Sequence, residues 1–164
     1  MKFPSSTVQT RYDSPLGPMI VAATERGLAG LWFEGQRHLP DSSSWPHAPG
    51  HPVLREAVAQ LSDYFAGRRS EFDLPLDLQG GTAFQQSVWQ ALLAIPSGRT
   101  TSYGDLSQRV GRPRAVRAVG AAVGRNPVSI VVPCHRVLGR DGSLTGYAGG
   151  LERKSALLGL EGAI

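Results

Sequence analysis

The sequence predicts an α+β chain in two parts: a small antiparallel sheet with one helix, followed by a winged helix-turn-helix. Three observations carry this. Apolar and β-branched runs separated by turn residues crowd the segment before residue 35. Helical periodicity with cap residues dominates after residue 81. The charge also changes sign along the chain: residues 1–80 hold 7 Lys/Arg against 9 Asp/Glu, and residues 81–164 hold 10 against 4.

In the first part, Val8–Tyr12 and Met19–Thr24 flank the turn cluster Ser14-Pro15-Leu16-Gly17-Pro18 and read as paired strands. Gly27–Phe33 is a third strand. Gly35–Gly50, rich in Ser, Pro and His, is a loop long enough to be mobile, with no chemical motif. From Pro52 to Phe65 the residues Val53, Ala57, Leu61 and Tyr64 recur at helical spacing. Phe72, Leu74 and Leu76 alternate with acidic residues and Pro75, as an edge strand does. Gln79-Gly80-Gly81 then breaks all periodicity, so the expected boundary separates a domain over 1–79 from one over 80–164.

The second part opens with Thr82 and, three residues on, Gln85: a capping box starting a helix that runs through Ala94 until Pro96 ends it. Ser102 caps a short helix from Tyr103, with Asp105 in its first turn, and Gly111 stops it. Pro113 is placed at the start of the next helix, whose stripe Ala115, Val116, Val119, Ala122 and Val123 ends at Gly124. Two helices joined by a short glycine-containing turn, the second studded with arginines, fit a helix-turn-helix. Ser129–Val132 is a β-branched strand, Gly139–Gly142 a turn and Leu151–Leu160 a closing helix, hence the winged variant.

Several function classes fall away. No apolar run approaches the roughly 18 residues of a membrane span. The N-terminus has one lysine and no hydrophobic signal core, so a reducing cytoplasm is the expected location. A single cysteine forms no internal disulfide, and with four histidines it shows no metal-ligand spacing; neither metal nor cofactor is expected. Phosphate-binding, serine-elbow and zinc-protease motifs are absent. What stands out is Arg99, Arg109, Arg112, Arg114, Arg117, Arg125, Arg136 and Arg140, opposed over that span only by Asp105. Guanidinium groups suit bidentate contact to phosphates, so the partner expected for this half is an anionic polymer.

The residues that carry chemistry lie in Ile130-Val131-Val132-Pro133-Cys134-His135-Arg136-Val137. A lone cysteine after an apolar run is most often inert. Here Pro133 re-aims the chain, and His135 and Arg136 are expected to favour the thiolate. A soft thiolate attacks phosphate poorly and accepts alkyl groups well. Residue chemistry alone stops at thiol chemistry beside DNA.

Pro133-Cys134-His135-Arg136-Val137, with Asn126-Pro127 before it and Gly146-Tyr147-Ala148-Gly149-Gly150 after, resembles the O6-alkylguanine-DNA alkyltransferase (methylated-DNA–protein-cysteine methyltransferase) family. Phe84-Gln85-Gln86-Ser87-Val88-Trp89, Ser102-Tyr103-Gly104 and Val116-Arg117-Ala118-Val119-Gly120 extend the match in order over nearly all of the second part. The resemblance implies a ribonuclease-H-like first domain and irreversible, single-turnover repair. The alkyl group on O6 of guanine, with O4 of thymine left open, passes to Cys134 from a base flipped out of duplex DNA. It implies His135 and Glu161 as a water-linked base and its orienter, and Tyr103 as donor to guanine N3. Asn126 is implied as a hinge tie and Arg117 as the side chain filling the vacated stack. Gly104, Arg112, Ala115, Val116, Ala118, Ala121 and Arg140 complete the implied DNA face. Val137, Tyr147, Ala148, Gly149 and Gly150 form the implied pocket wall. The implied partner is duplex DNA carrying O6-alkylguanine, met by a monomer, with association between copies on DNA left open. Ala148 stands where some relatives have Ser, and Ser129 where some have Pro, which bears on the selectivity for larger alkyl groups.

Two other classes compete on residues alone. A winged-helix regulator explains the arginines and leaves Cys134-His135 idle. A cysteine hydrolase would pair Cys134 with a distant histidine such as His51 and needs no basic domain.

Overall fold

The computed structural model describes residues 1–164. Three strands, β1 (Val8–Ser14), β2 (Gly17–Thr24) and β3 (Gly27–Phe33), form an antiparallel sheet in sequence order. The first hairpin closes around Pro15-Leu16, with Ser14 opposite Gly17, and Gly17, the first residue past the turn, takes a φ of +116° that suits glycine. Every residue of β3 is buried, which explains its lack of polar alternation. Helix α1 (Pro52–Phe65) packs Leu54, Ala57, Leu61 and Tyr64 toward the core.

The free edge of β3 is covered twice. Leu28 donates to the Pro75 carbonyl at 2.8 Å and accepts from the Asp77 N–H at 2.8 Å. This single bridge at Leu76 is all that forms of the edge strand expected at Phe72–Leu76, because Pro75 has no N–H to extend a ladder. Further along, Leu31 donates to Pro127 O at 2.8 Å and accepts from Ser129 N at 3.0 Å. A segment of the second half is thereby pinned to the sheet of the first.

The second half is helical: α2 (Ala83–Leu92), α3 (Tyr103–Arg109), α4 (Val116–Gly124) and α5 (Leu151–Leu160). The Thr82–Gln85 capping box forms in both directions, at 3.1 and 3.0 Å. Helix α2 ends at Leu92 rather than Ala94, since Ala94 and Ile95 close tighter turns onto Ala91 and Leu92. Helix α4 starts at Val116, later than Pro113 implied. Residues 112–115 close a turn of their own, Ala115 N–H to Arg112 O at 2.9 Å, and Ala115 has no side chain with which to cap. The wing is reduced to β4 (Thr101–Ser102) paired in parallel with β5 (Val137–Leu138). Trp89 crosses from α2 to donate its indole N–H to Ala122 O of α4 at 2.8 Å. One cluster of 26 buried residues runs through both halves, from Met19 to Leu157, so the sheet and the helices share a core.

The strand expected at Ser129–Val132 does not form. Val131 bonds back to Ser129 and Val132 to Val128, at 2.8 and 2.9 Å, and Ile130 sits at φ +73°. A β-branched residue in the left-handed region is strained and persists only where its surroundings over-determine it. Here they do, because β3 holds one end of the segment and Asn126 the other.

Candidate active site

Asn126 follows α4 and is buried. Its amide donates to Val132 O at 2.7 Å and to Val128 O at 3.5 Å, and its carbonyl accepts from Val128 N at 3.0 Å. One side chain thus replaces the ladder partners of a strand and folds 128–132 into a loop. Pro133 then leads into a 3₁₀ turn, Cys134–Arg136, whose sequence neighbours aim in different directions.

Cys134 is 6% exposed. Burial pushes its thiol up, against smaller opposing pulls from the Asn126 side chain and the Lys154 charge. The expectation that His135 and Arg136 hold a thiolate is therefore corrected. Burial also lowers the His135 imidazole, leaving it neutral, and the charge of Arg136 is spent elsewhere.

It is spent on Glu161. Arg136 Nε and Nη2 donate to the two carboxylate oxygens at 2.8 and 2.9 Å, and Nη1 donates to Ile95 O at 2.6 Å. His135 Nε2 lies 2.8 Å from Glu161 Oε2, and the Tyr64 hydroxyl of α1 donates to the same oxygen at 2.7 Å. Burial alone would raise this carboxyl, but the hydrogen bonds from His135 and Arg136 outweigh it and bring it down to about 2. An ionised acceptor at Nε2 puts the proton there, so His135 Nδ1, buried and without a partner, keeps its lone pair.

A cavity of about 390 Å³ opens onto Cys134 between α4 and the 146–148 segment. Tyr103, Gly120, Ala121, Val123 and Gly124 form one wall, and Gly146, Tyr147 and Ala148 the other. Tyr103 donates its hydroxyl to Thr145 O at 3.3 Å, and burial raises it. Of the expected wall, Val137 is fully buried behind the site, Gly149 packs under Tyr147 and Phe33, and Gly150 caps α5, so these three do not line the cavity. On the outer face of α4, Val116, Arg117, Ala118 and Ala121 are exposed and Ala115 half-buried, with Arg112 and Arg140 exposed nearby in sequence and on the wing turn. Gly104 lies half-buried in the first turn of α3. His51 is committed elsewhere: its Nδ1 accepts from Val53 N at 3.2 Å and caps α1.

Three contributors went unread in the sequence. Lys154 is completely buried, and Nζ donates to the carbonyls of Val137, Thr145 and Gly146 at 2.6, 2.8 and 3.1 Å. Desolvation lowers it to about 8. It shares the buried face of α5 with Leu157 and Leu158, and a lysine in that register is the signal that identifies it. Tyr64 reaches Glu161 across 97 residues, a pairing with no local signature. The loop at Arg37 and His38, read as empty of chemistry, lines the cavity. No three His, Cys, Asp or Glu side chains stand together as metal ligands would, and no helix is long and apolar enough to cross a membrane.

Comparison with known proteins bears on this arrangement. Residues 7–78 match the family description "6-O-methylguanine DNA methyltransferase, ribonuclease-like domain", and residues 83–163 match its "DNA binding domain". A methylated-DNA–protein-cysteine methyltransferase of Mycobacterium tuberculosis is 52% identical over 149 residues, covering 91% of this chain and 88% of the relative. One from Methanosarcina acetivorans is 47% identical over 153 residues, covering 93% and 96%. The crystal structure of the M. tuberculosis O6-methylguanine methyltransferase superposes with a TM-score of 0.87 at 49% identity, over 96% of this chain and 93% of that one. The M. tuberculosis protein in complex with DNA gives 0.86 at 48% identity, covering 96% and 92%.

Proposed function

This chain belongs to the 6-O-methylguanine DNA methyltransferase family, and on that premise we propose how its own residues carry out the transfer. The protein is a methylated-DNA–protein-cysteine methyltransferase that binds DNA and repairs it by direct alkyl transfer. The observation that carries our assignment is the buried relay behind Cys134: a neutral imidazole with a free Nδ1, fixed through Nε2 by an ionised Glu161.

Cys134 is the acceptor. The thiol is protonated at rest, so attack requires its proton to leave, and His135 Nδ1 takes it through one bridging water. Glu161 fixes the tautomer and stabilises the imidazolium that forms. Sγ forms a bond to the alkyl carbon as the bond from that carbon to O6 breaks, and the bonding pair stays with guanine. The Tyr103 hydroxyl donates to N3 and disperses the charge, and the guanine recovers the proton that the thiol gave up. Asn126 couples the end of α4 to the loop before Cys134. Because O6 lies inside the duplex stack, the nucleotide is flipped into the cavity, with Arg117 in its place and the small residues Ala115, Ala118 and Ala121 admitting the groove. Arg112, Arg140 and the Gly104 backbone meet phosphates.

The limits of the two family matches, ending at 78 and resuming at 83, support a division of labour near Gly80. In this reading the lesion is O6-alkylguanine and the protein acts as a monomer in the cytoplasm, where a lone thiol stays reduced.

The test is intact-mass analysis after incubation with duplex DNA containing O6-methylguanine. One methyl group is expected per protein molecule, mapping to Cys134, and substoichiometric protein clears only its own number of lesions. Turnover of excess lesions, or a methyl group on another residue, would overturn the assignment.

A further inference from the structure

The cavity over Cys134 is not built by the second half alone, because Arg37 and His38, from the turn after β3, line it together with Arg125. Their placement is fixed by the fold. Gln36 is buried and clamps the turn, its Oε1 accepting from Phe33 N at 2.9 Å and its Nε2 donating to Arg37 O at 3.2 Å. The Arg37 N–H donates to Ala148 O at 3.0 Å and ties the turn to the cavity wall. His38 holds φ +60°, a conformation a non-glycine residue keeps only under constraint.

The electrostatics of this rim are one-sided. None of the residues lining the cavity is acidic. Neither Arg37 nor Arg125 has an ion-pair partner. All three line the same cavity, and His38 is pushed below its ordinary value by partial burial and then by the charges of Arg125 and Arg37. Two uncompensated guanidinium groups and an imidazole at the mouth of a pocket form a cradle for an anionic oxygen group.

We propose that Arg37, His38 and Arg125 bind an anionic oxygen group brought in with the flipped nucleotide and so set how fast that nucleotide reacts. The group is either a phosphate flanking that nucleotide or a carboxylate at the far end of a longer O6-alkyl chain. The proposal rests on Cys134 being the alkyl acceptor. It gives the first half of the chain a direct part in substrate selection.

Transfer to Cys134 is timed by mass with O6-methylguanine and O6-carboxymethylguanine, each as the free base and within a short duplex. Three proteins are compared: wild type, the double variant Arg37→Glu/Arg125→Glu, and the double variant Arg37→Lys/Arg125→Lys. Ratios between substrates within one protein cancel any difference in the fraction folded. For a carboxylate ligand, charge reversal lowers the carboxymethyl-to-methyl ratio of the free bases about tenfold, and the lysine pair restores most of it. For a phosphate ligand, the free-base ratio stays constant, while charge reversal slows both duplex lesions about tenfold relative to the free bases. If charge reversal leaves both ratios at wild-type values, the proposal is overturned. If wild type takes no methyl group from duplex O6-methylguanine, the reading of Cys134 fails instead.

Discussion

Arg136 is 6% exposed and directs all three of its guanidinium nitrogens at protein oxygens, two at Glu161 and one at Ile95 O. Arg117, on the outer face of α4, is exposed and has no ion-pair partner. The same side chain serves two regions with opposite electrostatics. Behind Cys134 the Arg136 and Glu161 charges are matched and buried, so their geometry is rigid and protonation states are set by neighbours. On the outer face of α4 the charges are unmatched and wet, which leaves them free to displace counterions from a phosphate backbone. On the function proposed above, this division separates the groups that do chemistry from the groups that hold the polymer, and substitutions in the two regions are expected to fail in different ways.

The largest effect is expected at the join between them. Cys134→Ala should abolish alkyl transfer, read by mass, while affinity for undamaged duplex, read by fluorescence anisotropy, stays near wild type; a large loss of binding would erase the separation. Next comes the interior. Glu161→Ala strands Arg136 and removes an acceptor from Tyr64 and His135, so stability should fall by about 3–5 kcal/mol in urea denaturation. The same carboxylate predicts a pH dependence. Its value lies below the ordinary 4.5, at about 2, so the stability it contributes is fully present above pH 4.5 and is lost as the pH falls toward 2. Acid titration of wild type against Glu161→Gln should show that loss in the wild type alone.

Smaller effects belong to the outer face. Arg117→Ala should slow repair in duplex about tenfold more than transfer from free O6-methylguanine base, which needs no flipping. Equal losses would move Arg117 from the groove into the pocket. Arg112→Ala should lower duplex affinity modestly and uniformly across sequences and reduce the slope of log affinity against log salt by about one. An unchanged slope would remove Arg112 from the phosphate contacts.

How well each region reads from the sequence follows from how local its physics is. The β1–β3 hairpins, the Thr82–Gln85 box and the Ser102 cap are written within a few residues, and all form where periodicity and cap chemistry place them. Cys134, His135, Tyr103 and Asn126 were legible through an ordered set of motifs, and the chain brings them to one cavity and its floor. The misreadings share a cause. Ser129–Val132 has the composition of a strand, but Asn126 supplies its hydrogen bonds from a side chain, which no propensity registers. Arg136 looked like a charge for the thiol because its true partner, Glu161, is 25 residues away. Tyr64 and Arg37 reach the site across the sheet–helix junction, through contacts that exist only once both halves have folded.

The seclusion of Cys134 has a consequence for how the protein keeps before use. A molecule that works once is wasted by any stray reaction. Peroxides and soluble electrophiles consume thiolates that they can reach, and they react slowly with protonated, hidden thiols. With Cys134 6% exposed and its thiol held above the ordinary pKa by burial, the chain gives up resting thiolate for shelf life. Its reagent stays inert in a cell full of competing reactants until a flipped base fills the space above it.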